Sequence, residues 1–211
     1  MLDFVVAGLS ANSVPYCEGL ELQRAVHGTV VSGQRPNTVL LLEHPAVYTA
    51  GKRTQPQDRP TDGTPVVDVD RGGRITWHGP GQLIGYPVLR LPEPLDVVGY
   101  VRLLEDILIE TIADFGIDGR RVPGRSGVWV GPAGAEDKIA AIGIRVADGV
   151  TMHGFALNCD NSLEPYERII ACGIADAGVT TMSRVLGRPV SPEDTVPSLT
   201  AHFRARFLVP A

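Results

Sequence analysis

The chain has 211 residues, 44% apolar and 20% charged. This suits a single domain, residues 1–211, that can bury its own core without disulfides or metals. A formal charge of −5 argues against a general nucleic-acid binder, and no apolar run approaches the roughly 18 residues of a membrane span. Cys17, Cys159 and Cys172 form no CxxC pair, and the N-terminus has no cationic leader, which together fit a reducing cytoplasm.

A first strand is expected over Phe4–Ala7. Ser13 then reads as the cap of a helix, with Pro15 in its first turn, that runs to about Val31. Thr38–Glu43 is a nearly all-apolar strand, the pattern of a strand covered on both faces. Residues 52–65 carry three prolines and read as a loop, and Val66–Val69 as a short strand. Arg71–Gly85 holds five glycines around the strand-like Ile75, Thr76 and Trp77, followed by a strand over Leu83–Leu91.

Asp96 caps the strongest helix, Val97–Phe115, whose apolar residues recur at helical spacing until Gly116. Short strands follow at Gly127–Val130, Lys138–Val146 and Val150–Leu157, the last two joined by an Asp148-Gly149 turn. A short helix near Glu164–Ile170 leads to Cys172. Ser191 to Asp194 is close to a capping box for a final helix to about Phe207. Strands grouped apart from helices give an α+β class with a mixed sheet flanked by helices.

The basic residues are 17 Arg and only two Lys, Lys52 and Lys138. GC-rich codon usage accounts for the bias. A lysine kept against it is expected where Arg cannot serve, because lysine changes protonation state far more readily. Lys138 opens an apolar, small-residue strand and is the candidate, either as a base or as a fixed charge beside a thiolate, although a strand-edge lysine can also snorkel to solvent. Lys52 falls in a polar loop and needs no special role.

Four stretches carry the chemistry. In Arg71-Gly72-Gly73-Arg74-Ile75-Thr76-Trp77-His78, paired glycines allow close backbone approach, and alternation puts Thr76 and His78 on one face with Trp77 on the other. Neither a Walker A loop nor a Rossmann fingerprint matches this spacing. The ordinary alternative is a glycine-rich bulge with a hydrogen-bonded histidine. The second stretch is Lys138 to Gly143. In the third, His153-Gly154-Phe155-Ala156, a glycine interrupts a strand, and His153 alone reads as structural. In the fourth, Cys172 stands beside Gly173, a position open to a reactive thiol. Cys17 and Cys159 read as small core residues.

Together these stretches resemble the lipoyl(octanoyl) transferase family, also called lipoate–protein ligase B. Its ordered motifs correspond to Arg71–Gln82, Lys138–Gly143, His153–Asn158 and Ala171–Ile174, with Glu43-His44-Pro45, Thr49-Ala50-Gly51 and Gly127-Val128-Trp129 in support. Two departures stand out. Ala171 replaces a proline before the cysteine, and Asp137 stands where glycine is usual, placing a carboxylate next to Lys138 in sequence.

The resemblance implies the mixed-sheet fold of biotin and lipoate protein ligases. It implies transfer of an octanoyl group from the phosphopantetheine of acyl carrier protein to a lysine on lipoyl domains of 2-oxoacid dehydrogenase complexes and the glycine cleavage H protein. Cys172 would be the nucleophile and Lys138 its catalytic partner. Arg71, Gly72, Gly73, Arg74, Ile75, Thr76, Trp77 and His78 would bind substrate, as would Ala141, Ile142, Gly143, Gly154, Phe155 and Ala156. The resemblance implies no ATP and no metal, no nucleic-acid or membrane partner, and a cytoplasmic enzyme; a monomer is expected. An acidic carrier would need a basic docking patch, for which Arg120, Arg121, Arg125 and Arg145 are candidates. The rival readings are an ATP-dependent lipoate or biotin ligase of the same fold, a cysteine thioesterase, and a non-catalytic acyl-binding module.

Overall fold

In the computed structural model, residues 1–169 and 177–207 are described; the expectations on Ile170, Ala171, Cys172, Gly173 and Ile174 lie outside them. A strand β1 (Leu2–Gly8), a helix α1 (Tyr16–Val31) and a strand β2 (Asn37–Leu42) form a crossover that sets β1 and β2 parallel, as a helical connection allows. Ser13 does not cap α1. The helix starts one residue after Pro15, and no side chain bonds its first turn, because a turn of 3-10 helix at Ser10–Asn12 ends at Ser13.

The main sheet adds β6 (Gln82–Val88), β7 (Arg120–Val122), β8 (Arg125–Val130), β9 (Asp137–Ala147) and β10 (Val150–Asn158) in the order β1-β2-β6-β10-β9-β8-β7. All pairs after β1–β2 are antiparallel. A second sheet, ordered β4-β3-β5, joins β3 (Val47–Ala50), β4 (Val66–Asp68) and β5 (Ile75–His78). Strands β3 and β7 escape the sequence pattern because each is short and polar or bounded by turn residues. The Asp148-Gly149 hairpin turn forms, with both residues at positive φ.

Helix α2 (Val97–Ala113) begins where expected, with the Asp96 side chain accepting from the Gly99 N–H at 2.7 Å. It packs with α4 (Pro192–Phe207) on one face of the main sheet, through Leu104, Leu108, Leu199 and Phe203. The Ser191–Asp194 box opens α4 as expected. Helix α1 covers the other face through Val26 and Val30. That coverage explains why Val39–Leu42 are buried throughout. The predicted helix near Glu164 is a 3-10 turn, Glu164–Arg168, and a short helix α3 (Met182–Leu186) follows the undescribed stretch. No helix among the described residues is long and apolar enough to cross a membrane.

Candidate active site

A cavity of about 540 Å³ lies on the α1 side of the main sheet, a volume typical of small-molecule sites. Its floor follows from side-chain size. Across three neighbouring strands, Ile84 pairs with Ala156, Ala156 with Ala141, and Gly154 with Gly143. Alanine and glycine at four of these positions leave a trough where larger residues would fill the space. Gly143 is also constrained from above, since a Cβ there would stand 3.0 Å from the Gly72 carbonyl.

A β-bulge directs Lys138 into this trough. Trp129 pairs with Lys138, but its neighbour Val128 pairs with Ala140, so β9 carries one extra residue, Ile139. Strict alternation would put Lys138 on the face of Ala140. The bulge instead puts it on the face of Trp129, and therefore of Ala141 and Gly143. Its side chain borders the cavity and is only 7% exposed. The ammonium sits 4.7 Å from the Trp129 ring centroid, a cation–π arrangement. Lys138 therefore does not snorkel outward, and Asp137 does not pair with it. Adjacent strand residues point apart, Asp137 is exposed, and among the described residues Lys138 makes no ion pair.

The roof is the loop from Arg71 to Arg74 together with β5. The buried Arg71 guanidinium donates to the Gly72 and Arg74 carbonyls at 3.0 and 2.9 Å and to Thr49 O and Oγ1, both at 2.9 Å. The loop is thus folded around its own arginine and fastened to β9 by Gly72 N–H to Ile144 O, 2.9 Å. Thr76 and His78 border the cavity, whereas Ile75 and Trp77 turn away to a small core with Tyr48, as the alternation predicts. His78 Nδ1 donates to Gln82 Oε1 at 2.8 Å, and its Nε2 lies 3.3 Å from Thr49 Oγ1.

Burial first, then the neighbouring His44 and Arg71, pushes the His78 imidazole down to about 3. The unfolded chain binds a proton near pH 6.5 that the folded chain refuses. Stability is therefore complete above pH 6.5 and falls as the pH drops towards 3, by about 1.4 kcal/mol per unit for this group. Denaturant titrations at pH 7, 5 and 4 should show a shallower loss for His78→Gln than for the wild type; equal slopes would refute a neutral His78.

Among the expected substrate-binding residues, Arg71, Gly73, Arg74, Thr76, His78, Ala141, Ile142, Gly143, Gly154, Phe155 and Ala156 border the cavity with Lys138. Gly72, Ile75 and Trp77 stand behind that lining. Tyr16, Ile84, Tyr86 and the 124–126 turn also contribute; they come from distant elements and form no motif. His153 borders the cavity as well, with φ +57 and its Nε2 2.8 Å from Asp70 Oδ1.

Three sequence expectations change. Lys52 is not without a place, since it and Arg53 are exposed at the cavity's edge. Arg120, Arg121 and Arg145 pair with Asp118, with Glu105 and Asp106, and with Asp70, so their charge is locally balanced; only Arg125 of that group reaches the cavity. Cys17 is exposed rather than core, because α1 buries Tyr16, Gly19, Gln23, Val26 and Val30, a helical stripe that excludes position 17. Cys159 is buried as expected, and that burial pushes its thiol up to about 12.

This mixed sheet flanked by helices is the fold found in lipoate and biotin protein ligases. Among solved structures, the bipartite lipoate protein ligase of Thermoplasma acidophilum aligns with a TM-score of 0.70 at 15% identity, covering 99% of this chain and 84% of that one. The biotin protein ligase of Aquifex aeolicus aligns at 0.57 and 14%, covering 97% and 68%.

The catalytic-domain model for lipoyl protein ligases A and B matches residues 15–204, and the chain belongs to that family. Octanoyltransferases of Clavibacter sepedonicus and Leifsonia xyli are 67% and 62% identical to it. They cover 96% and 98% of this chain over 89% and 93% of their own.

Proposed function

We propose that this chain is an octanoyltransferase that modifies lipoyl domains. The observation that carries the reading is the identity of 55–67% to octanoyltransferases over nearly the whole chain. The ATP-dependent ligase is not favoured, because the relatives matched at high identity are named octanoyltransferases, while the ligase structures share only the fold.

In this reading the donor is an octanoyl thioester on the phosphopantetheine of acyl carrier protein. The Cys172 thiolate attacks the thioester carbonyl, the carbon–sulfur bond to the carrier breaks, and the carrier thiol leaves with a proton. The lysine amine of a lipoyl domain then attacks the acyl-enzyme, a C–N bond forms, and Cys172 leaves as thiolate. Lys138 holds the thiolate by its charge, gives its proton to the departing carrier thiolate, and, neutral in the acyl-enzyme, takes the amine proton in the second step. Amide formation from a thioester runs downhill, so the chemistry requires neither ATP nor a metal.

The trough of Ala141, Gly143, Gly154 and Ala156 suits the acyl chain. Lys52 and Arg53 stand exposed at the cavity's edge, and no carboxylate borders the cavity among the described residues, which suits an anionic carrier arm. Lipoyl domains of 2-oxoacid dehydrogenase complexes and the glycine cleavage H protein are the acceptors, in the cytoplasm.

The test is to mix the protein with octanoyl-acyl carrier protein and locate the adduct by peptide mass spectrometry. Octanoyl on Cys172 that chases onto a lipoyl domain is expected. Release as free acid irrespective of the acceptor would make it a thioesterase, and transfer from free octanoate with ATP would make it a ligase.

A further inference from the structure

We infer that Gln82 and Asn158 are positioning residues for this chemistry: a buried amide pair that ties the chain on both sides of residues 170–176 to the backbone of Lys138. The inference rests on the reading of Cys172 as nucleophile. Gln82 opens β6 and Asn158 closes β10, and the two face each other in register. They are 1% and 4% exposed, and neither borders the cavity.

Each amide reaches one flank. Gln82 Nε2 donates to Asn158 Oδ1 at 2.8 Å and to the Tyr166 hydroxyl at 2.9 Å. Tyr166 lies upstream of the segment, in the 3-10 turn that Tyr48 also holds through the Pro165 carbonyl at 2.7 Å. Asn158 Nδ2 donates to the Thr180 carbonyl, downstream, at 3.0 Å.

The downstream flank is joined to Lys138 itself. Thr180 N–H donates to Lys138 O at 3.0 Å, and Lys138 N–H to Gly178 O at 2.9 Å. Entry, exit and lysine therefore share one hydrogen-bonded frame, and the Gln82–Asn158 bond closes it. Both amides find partners at fixed geometry, the condition under which a buried polar network specifies one arrangement. His78, bonded to Gln82 Oε1, couples the cavity roof to the same frame.

Loss of the frame should slow the reaction without weakening substrate binding, since neither amide lies in the cavity; a small misplacement of reacting groups costs on the order of 100-fold. The test uses Asn158→Leu and Tyr166→Phe in a Cys17→Ser background, which removes the exposed thiol. Both changes are neutral, so they leave the charge of the site as it was. Tyr166→Phe deletes one hydroxyl and keeps the ring, so it guards against misfolding.

Three quantities are measured: kcat and KM for an octanoyl thioester, Cys172 alkylation by iodoacetamide against pH, and melting temperature. The expected result is a kcat lowered on the order of 10- to 100-fold with KM within about three-fold. The alkylation midpoint should move up towards that of a free thiol, about 8.5. Unchanged kcat and an unmoved alkylation profile in both variants, with Cys172 acylated normally in the wild type, would overturn the inference. A wild type that never acylates Cys172 would instead overturn the underlying reading.

Discussion

Octanoyl transfer to a lipoyl domain is expected to fall by roughly 10⁴-fold or more in a Cys172→Ala variant, with no acyl adduct left anywhere on the chain. No other cysteine can substitute. Cys159 is fully buried, and its thiol, pushed up to about 12, stays protonated. Cys17 is accessible but sits on the solvent face of α1. Cys172→Ser should be nearly as inactive, because a hydroxyl lacks the thiolate fraction on which thioester exchange depends. Intact-protein mass spectrometry after exposure to octanoyl-acyl carrier protein decides the matter. A stable adduct on Cys172→Ala would move the nucleophile elsewhere.

Lys138→Arg should lose about 100-fold in overall transfer, within about ten-fold of Lys138→Ala. Arginine keeps the positive charge and can stack on Trp129, so the electrostatic contribution survives. It cannot release and take up a proton at accessible pH, so the amine step suffers. The site is also tight. Lys138 is buried against the Trp129 ring, 4.7 Å from its centroid. Single-turnover assays separate the half-reactions. Acyl-enzyme formation should be less affected by arginine than transfer to the lipoyl domain is. Near-wild-type transfer by Lys138→Arg would mean that the lysine contributes charge alone.

The sequence made the site legible to the extent that its residues sit in short motifs. Ile75–His78 read correctly as an alternating strand because period-two geometry is local; Thr76 and His78 face the cavity while Trp77 faces away. Asp96 and Ser191 announced their helices because capping is a local hydrogen bond. What stayed hidden depends on distant pairing. Ser13 looked like a cap, but a preceding turn claimed it. Strands β3 and β7 are too short to show a period. Lys52 looked unremarkable because its loop reaches the cavity only after the second sheet is assembled. The balance of charge on Arg121 and Arg145 likewise depends on acids brought near by folding, two of them on helix α2. Cys17 shows that a cysteine in a helix says nothing about burial until the buried stripe is known.

The bulge at Ile139 makes the chemistry depend on counting as well as on residue identity. Composition and hydropathy would not change at all if Ile139 were drawn into a regular ladder and the bulge lost. The strand would still pair with β8 and β10, and its apolar character would persist. Yet restored alternation would turn the ammonium through the sheet, towards the core under α2 and away from the trough. Deletion of Ile139 would leave Lys138 next to Ala140 and still on the trough face, whereas a regular ladder that kept Ile139 would not. In this strand, register and side-chain chemistry are separate determinants of where the ammonium stands.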